Sequence, residues 1–169
     1  MVFALASRTL RSSSYRPVLS QLAGARRGYA EAVSDKLKLS FVVPHSAIYD
    51  GVEVTQVNVP AVSGDLGILS AHVPTVEQIR PGVLEVIESS GTSKKFFVSS
   101  GFASIHPNNT LTVNAVEAYP LDQFSPEAIR QGLSEAQRVL SSNASAEEKA
   151  EAEIEVEVYT ALQTALSHN

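Results

Sequence analysis

Polar and apolar residues alternate with period two through Lys36-Leu37-Lys38-Leu39-Ser40-Phe41, the signature of a strand with one buried face. Val52 and Val54 fall in one phase and Val57 and Val59 in the other, so the slip across Thr55-Gln56 predicts a bulge or a strand break. Residues 83–87 and 96–98 are apolar on both phases, as expected of strands lying between two layers. Leu111, Val113 and Ala115 alternate with Thr110, Thr112 and Asn114. The Asn108-Asn109 pair before them predicts a hairpin turn, because Asn tolerates left-handed backbone angles. Between residues 57 and 88 the apolar runs are broken by Pro60, Gly64, Gly67, Pro74, Pro81 and Gly82, the rhythm of short strands and tight turns. Residues 36–120 therefore read as an all-β sandwich or barrel, long enough for one core.

The period changes after Pro120. Ser125-Pro126-Glu127 places an N-cap serine, a proline at the first helical position and an acid in the first turn. Ile129, Leu133, Ala136 and Leu140 follow at helical spacing until Ser141-Ser142-Asn143 breaks the pattern. Ser145-Ala146-Glu147-Glu148 forms a capping box for a second helix, with an apolar stripe of Ile154, Val158, Ala161, Leu162 and Ala165. The short break predicts an antiparallel helical hairpin. Its Ala-rich stripe buries too little apolar area to hold alone, at ~25 cal/mol per Å², so the pair is expected to lie against the sandwich or a partner.

The first residues carry a different composition. Arg8, Arg11, Arg16, Arg26 and Arg27 stand among many serines, with no acid before Glu31. An Arg-rich, Ser-rich, acid-poor start reads as an organelle transit peptide, and Arg27-Gly28-Tyr29-Ala30 resembles a mitochondrial processing site cut between Tyr29 and Ala30. The expected organisation is a transit peptide over 1–29, a β-sandwich domain over 30–122 and a helical-hairpin domain over 123–169. Removing the leader takes the net charge from 13 − 18 = −5 to 8 − 18 = −10. An acidic mature chain argues against nucleic acid as a partner. No apolar run reaches the ~18–20 residues that span a bilayer, so membrane association is expected to be indirect. The chain has no cysteine, which excludes disulfides, cysteine nucleophiles and cysteine-based zinc sites.

Candidate chemistry is sparse. His45, His72, His106 and His168 are far apart and form neither HxH nor HExxH, so no metal is expected. Gly64-Asp65-Leu66-Gly67 lacks the Lys-Ser/Thr of a P-loop and reads as a turn with a permissive glycine at each end. Ser99-Ser100-Gly101 is not a hydrolase elbow. Asn108-Asn109-Thr110 and Asn143-Ala144-Ser145 fit the glycosylation pattern but read as turns in an imported protein. Glu147, Glu148, Glu151, Glu153, Glu155 and Glu157 form an acidic run, read first as a solvated helix face and second as a surface for a basic partner. No catalytic residue and no cofactor are expected.

Taken together, VNVPAVSGDLGILSAHVPTVEQIRPGVLEV, then FFVSSGFASI, then LTVNAVEAYPLDQF, resemble the delta subunits of mitochondrial F-type ATP synthases, whose bacterial counterparts are called epsilon. The resemblance runs from about Leu37 to the C-terminus. Its most specific part is the ordered set Pro60, Gly64, Gly67-Ile68-Leu69, His72, Pro74 and Pro81-Gly82, followed by Val98-Ser99-Ser100-Gly101. It implies an N-terminal antiparallel β-sandwich followed by a C-terminal antiparallel two-helix hairpin. It implies a non-catalytic rotor part on the matrix side of the inner membrane, set against the gamma subunit and the ring of c subunits. A small mitochondrial epsilon subunit packs alongside. Carried over by position, Ser63, Gly64, Asp65 and Leu66 match the loop that meets the ring, and Pro44 and His72 match positions that face gamma. Some bacterial relatives bind ATP through Ile-Asp-x-x-Arg-Ala at the start of the hairpin. Here the matching residues are Pro126, Glu127, Arg130 and Gln131, and only the Arg and an acid remain. That departure favours a torque-transmitting subunit over the alternative, a nucleotide-sensing regulator that inhibits ATP hydrolysis.

Overall fold

The computed structural model describes residues 36–167. The expected transit peptide, its Tyr29–Ala30 cut and His168 lie outside the described residues. The strands are β1 (Leu37–Val43), β2 (Ser46–Ala61), β3 (Gly64–Ile68), β4 (Thr75–Ile79), β5 (Gly82–Glu88), β6 (Ser93–Val98), β7 (Gly101–Ile105), β8 (Thr110–Ala115) and β9 (Ala118–Pro120). A short 3-10 turn, Leu121–Gln123, leads to helices α1 (Pro126–Ser141) and α2 (Ala146–Ser167). The sandwich followed by a helical hairpin is the architecture expected from the sequence.

Hydrogen bonding runs β1-β8-β7-β4-β2-β5-β6-β9, with β3 on β2 and a further β1–β2 pairing. That last pairing closes one side of the sheet, so β1 is bonded along both edges. Every pairing is antiparallel except β1 with β8, which is parallel. The long β2 serves both layers, its first half on β1 and its second on β5 and β3. The turn between the two roles is the predicted bulge: Val54 stands opposite Glu88 but Gln56 opposite Ile87, leaving Thr55 as the extra residue. Its effect is to put Val54 and Val57, three positions apart, into the same core. Val52 departs from the expected pattern. It shares a phase with Val54 and stands opposite the buried Leu39, yet is 43% exposed, next to the register irregularity at Gly51.

The core between the layers holds Leu37, Leu39, Phe41, Val57, Val59, Ile68, Leu84, Val86, Phe96 and Val98 among others. Phe41 and Phe96 meet edge to face across it at 5.6 Å. Gly101 is fixed by sterics: φ is +151°, and an added Cβ would fall 2.1 Å from the Asn114 carbonyl oxygen.

The two-phase apolar strands lie where expected. Leu84, Val86, Phe96 and Val98 face the sandwich core, whereas Val83 and Phe97 face a second cluster with Leu121, Phe124, Ile129, Leu162 and Ala165. The hairpin therefore packs on the β5–β6 side of the sandwich. Both helix starts follow the sequence. Ser125 Oγ accepts from the Ala128 N–H at 3.4 Å. In the capping box Glu148 Oε2 accepts from the Ser145 N–H at 2.7 Å while Ser145 Oγ accepts from the Glu148 N–H at 3.3 Å. The stripe of α2 needs one correction. Ile154 is 64% exposed, whereas the predicted Val158, Ala161, Leu162 and Ala165 do pack inward, joined by Ala152 and Tyr159. The helix–helix contact is set by Gly132, where an added Cβ would fall 2.5 Å from Tyr159 Cζ.

Candidate docking surface

Residues 62–65 form the tip of the β2–β3 hairpin, where Val62 and Ser63 turn the chain and Ala61 stands opposite Gly64 and Pro60 opposite Asp65. Val62, Ser63, Gly64 and Asp65 are exposed, and Gly64 has φ +132° with open space around it. Leu66 is half-buried and anchors the loop on the core. Two struts hold the tip. Ser63 Oγ donates to Glu77 Oε2 at 2.8 Å, and Arg80 Nη2 donates to Asp65 Oδ1 at 2.6 Å. The sequence reading placed a permissive glycine at each end of this turn. Only Gly64 fits. Gly67 sits inside β3 opposite Asn58, and its missing Cβ leaves room for the Gln56 and Asn58 side chains, 3.3 Å from where it would be.

The register locates the other predicted positions. Ala61 stands opposite Ile79, Ile79 opposite Gly101, and Gly101 opposite Ala115. Val42 lies beside Asn114, so the exposed Pro44 turn is at the same end of the strands as the 62–65 tip. His72 is at the other end. It follows Ala71, whose N–H donates at 2.7 Å to Asn109 Oδ1, and the Asn109 carbonyl accepts from the Lys38 N–H at 2.8 Å at the start of β1. Pro44 and His72 are thus separated by the length of β1, about 20 Å at ~3.3 Å per residue. Pro44 therefore shares an end of the sheet with Ser63, Gly64 and Asp65, with β8, β7 and β4 lying between them, and His72 is at the opposite end. His72 is half-buried, with Nδ1 2.9 Å from the Val73 carbonyl oxygen.

Between those ends runs a sheet face that residue-by-residue reading passed over. Alternation sends Val76 and Gln78 of β4, Phe102 and Ser104 of β7, and Thr112 and Asn114 of β8 away from the core. These six positions carry no charge. Val76 is 66% and Phe102 54% exposed, with Val62 beside Gln78 at one end and Val73 at the other. An uncharged face with exposed apolar side chains and many hydroxyl and amide groups has the composition of an interface core. The signal was present in the sequence as the parity of Phe102 against Ala103 and Ile105.

A cleft of about 450 Å³ lies between the β2–β3 and β5–β6 hairpins and the end of α2, lined by Pro60, Asp65, Arg80, Lys95, Leu121 and Ala165 among others. On its wall Glu85 accepts from Ser93 Oγ at 2.6 Å and Asn58 Nδ2 at 2.8 Å, and these two bonds hold its carboxyl below the ordinary carboxylate range. At the start of α1, Arg130 Nε donates to the Pro126 carbonyl at 3.3 Å. The hollow beside it, lined by Ile129, Arg130, Gln163 and Leu166, has about 240 Å³, below the ~300–1,000 Å³ of ordinary ligand pockets. Among the described residues, His, Asp and Glu do not gather in groups of three that could hold a metal, and no helix is long and apolar enough to cross a membrane.

Comparison with known proteins gives this geometry a context. Residues 36–120 match the family described as "ATP synthase, Delta/Epsilon chain, beta-sandwich domain". Residues 124–164 match "Fungal epsilon subunit of F1F0-ATP synthase C-terminal domain". The chain is 56% identical to mitochondrial ATP synthase subunit delta of Agaricus bisporus over 163 residues, covering 96% of this chain and 99% of the relative. It is 55% identical to the subunit of the same name in Saccharomyces cerevisiae, covering 84% and 89%. A chain in the Euglena gracilis mitochondrial ATP synthase OSCP/F1/c-ring structure superposes with a TM-score of 0.76 at 27% identity, covering 82% of this chain and 86% of that one. A chain of the Tetrahymena thermophila mitochondrial ATP synthase central stalk and c-ring shares the fold at TM-score 0.52 and 16% identity, over 76% and 96%. Sheet, hairpin and sequence agree throughout, and the chain belongs to the ATP synthase delta/epsilon chain family.

Proposed function

We propose that this chain is a non-catalytic rotor subunit of the mitochondrial ATP synthase, joining the gamma subunit to the ring of c subunits so that proton-driven rotation reaches the catalytic head. The observation that carries this reading is the uncharged outer face of β4, β7 and β8, with Val76 and Phe102 exposed on it, in a chain of this family. A side chain such as Phe102 loses contact with water only when a partner covers it, and such aromatic anchors dominate interface energetics.

The closed sheet suits the work. With β1 bonded on both sides, load applied at the 62–65 tip passes along hydrogen-bonded strands and a close-packed core, which deforms little. In this reading Ser63, Gly64, Asp65 and Leu66 meet the ring, and Pro44 and His72 meet gamma from opposite ends of the outer face. The small mitochondrial epsilon subunit packs alongside. The mature chain begins at Ala30, after import, with the sandwich over 30–122 and the hairpin over 123–169. It sits on the matrix side of the inner membrane and touches the membrane only through the ring.

Native purification from mitochondrial membranes tests the proposal. Co-migration with gamma and the ring is the expected result, and a free soluble matrix protein is the result that overturns it. The Arg130–Pro126 bond inside α1 and the small hollow beside it support this reading over a nucleotide sensor. Saturable micromolar ATP binding, followed through the Arg130 amide shift, would reverse that preference.

A further inference from the structure

Asn109 is the buried polar residue of the described chain, 6% exposed. A buried amide is costly unless its polar atoms find partners, and Asn109 ties two other segments to its own turn. Its own backbone turns the β7–β8 hairpin at φ +56°. Its carbonyl accepts from the Lys38 N–H, which ties down the start of β1. Its Oδ1 accepts from the Ala71 N–H at 2.7 Å. Ala71 is itself at φ +61°, a conformation that costs a residue with a Cβ about 1–2 kcal/mol and persists only when something holds it. The loop of residues 69–74 that Ala71 belongs to carries Leu69 and Val73, 47% and 74% exposed, together with His72. It has no strand pairing of its own.

We infer that Asn109 is a positioning residue for docking: its side-chain amide clasps the Ala71 N–H and so presents Val73, Leu69 and His72 in one fixed arrangement to the partner. The inference rests on the proposed docking role of the outer face. A fixed loop does not have to be ordered when the partner arrives, so the clasp acts on affinity through preorganisation rather than through contact. Asn suits the position on two counts, since it tolerates the left-handed angle and its side chain offers an acceptor.

The test compares Asn109→Gly, Asn109→Asp and Val73→Asp in the full chain, by amide hydrogen exchange at Ala71 and by the dissociation constant for the gamma subunit. Asn109→Gly keeps the turn angle and loses the acceptor. It is expected to raise Ala71 exchange and to weaken docking about tenfold. Asn109→Asp keeps the acceptor, so although its buried charge lowers overall stability, Ala71 exchange relative to the rest of the fold and the affinity for gamma are expected to stay close to those of the native chain. If Asn109→Gly frees Ala71 but leaves docking intact, while Val73→Asp abolishes it, the docking role stands and the clasp is overturned. If Ala71 exchange does not change in Asn109→Gly, the clasp is overturned directly. If neither Asn109→Gly nor Val73→Asp alters docking, the docking role fails and the inference falls with it. Should Asn109→Gly prove unfolded, Asn109→Ser, with a shorter acceptor, is read by the same two measurements.

Discussion

Arg80 donates to Asp65 at 2.6 Å, so the carboxylate at the 62–65 tip meets any partner already paired. The pair is exposed, 45% and 78% by side chain, and such surface pairs contribute only about 0–1 kcal/mol to folding. Its weight falls on recognition. Asp65→Lys sets two cations side by side and is expected to leave the subunit folded while weakening its hold on the ring. The exchange Asp65→Arg with Arg80→Asp rebuilds the pair in reverse. Recovery of rotor association on a native gel shows that the pair matters as a unit, and no recovery shows that the carboxylate itself touches the ring. Unchanged association in Asp65→Lys counts against the tip altogether.

Phe102 offers a cleaner separation of folding from docking. It points away from the core between Gln78 and Asn114, so Phe102→Lys removes no core contact. Thermal unfolding should shift by no more than about 0.5 kcal/mol, the usual surface range. Affinity for gamma should fall by at least about tenfold if this aromatic is an anchor. Equal affinity would remove the outer face from the interface.

The helix pair depends on a missing side chain. Gly132→Ala drives a methyl into the Tyr159 ring, which must move or push α1 off α2. Overpacking of this kind costs about 1–3 kcal/mol, more than Ala returns over Gly in helix propensity, about 1 kcal/mol. Adding Tyr159→Ala should remove the clash and recover that propensity gain, seen as non-additivity in a double-mutant cycle of unfolding free energies.

Two carboxylates should give the fold an acid-side dependence. Glu85 is held below its ordinary value of 4.5 by hydrogen bonds from Ser93 and Asn58, and Glu148 by the Ser145 N–H and then its hydroxyl. A depressed folded-state pKa stabilises above the ordinary value, and the contribution is lost as pH falls through the folded-state value. The stability gap between the native chain and Glu85→Gln or Glu148→Gln should therefore be flat from pH 7 to about 5 and shrink below 4.5. A gap that persists undiminished at pH 2 assigns the effect to packing instead.

Much of the fold was legible because local chemistry and tertiary structure agree. The bulge at Thr55, the two-sided strands β5 and β6 and both helix caps are local signals that nothing overrides. The misreadings share a cause. Val52, Gly67 and Ile154 are residues whose environment is set by strands and helices distant in sequence, which local periodicity does not report. The site was legible at the level of segments. Ser63–Asp65 could be placed at a turn, but its position at the same end of the sheet as Pro44, and at the opposite end from His72, follows from the pairing of β1, β8, β7, β4 and β2, which no spacing along the chain encodes. Asn109 was read correctly as a turn residue, and its side-chain partner at Ala71, far away in sequence, had no sequence signal.

The double pairing of β1 also bears on how the chain behaves before it finds a place in a complex. An unpaired strand edge is a template on which another chain can add. Here β1 offers none, and at the far end of the sheet β9 is only three residues long. The part of β6 that β9 leaves uncovered carries Lys94 and Lys95, charges that discourage strand addition. The edge that stays open is β3, bonded only to β2, and it is short, with Gly64 and Gly67 in it and the Asp65–Arg80 ion pair beside it, features that blunt an edge without closing it.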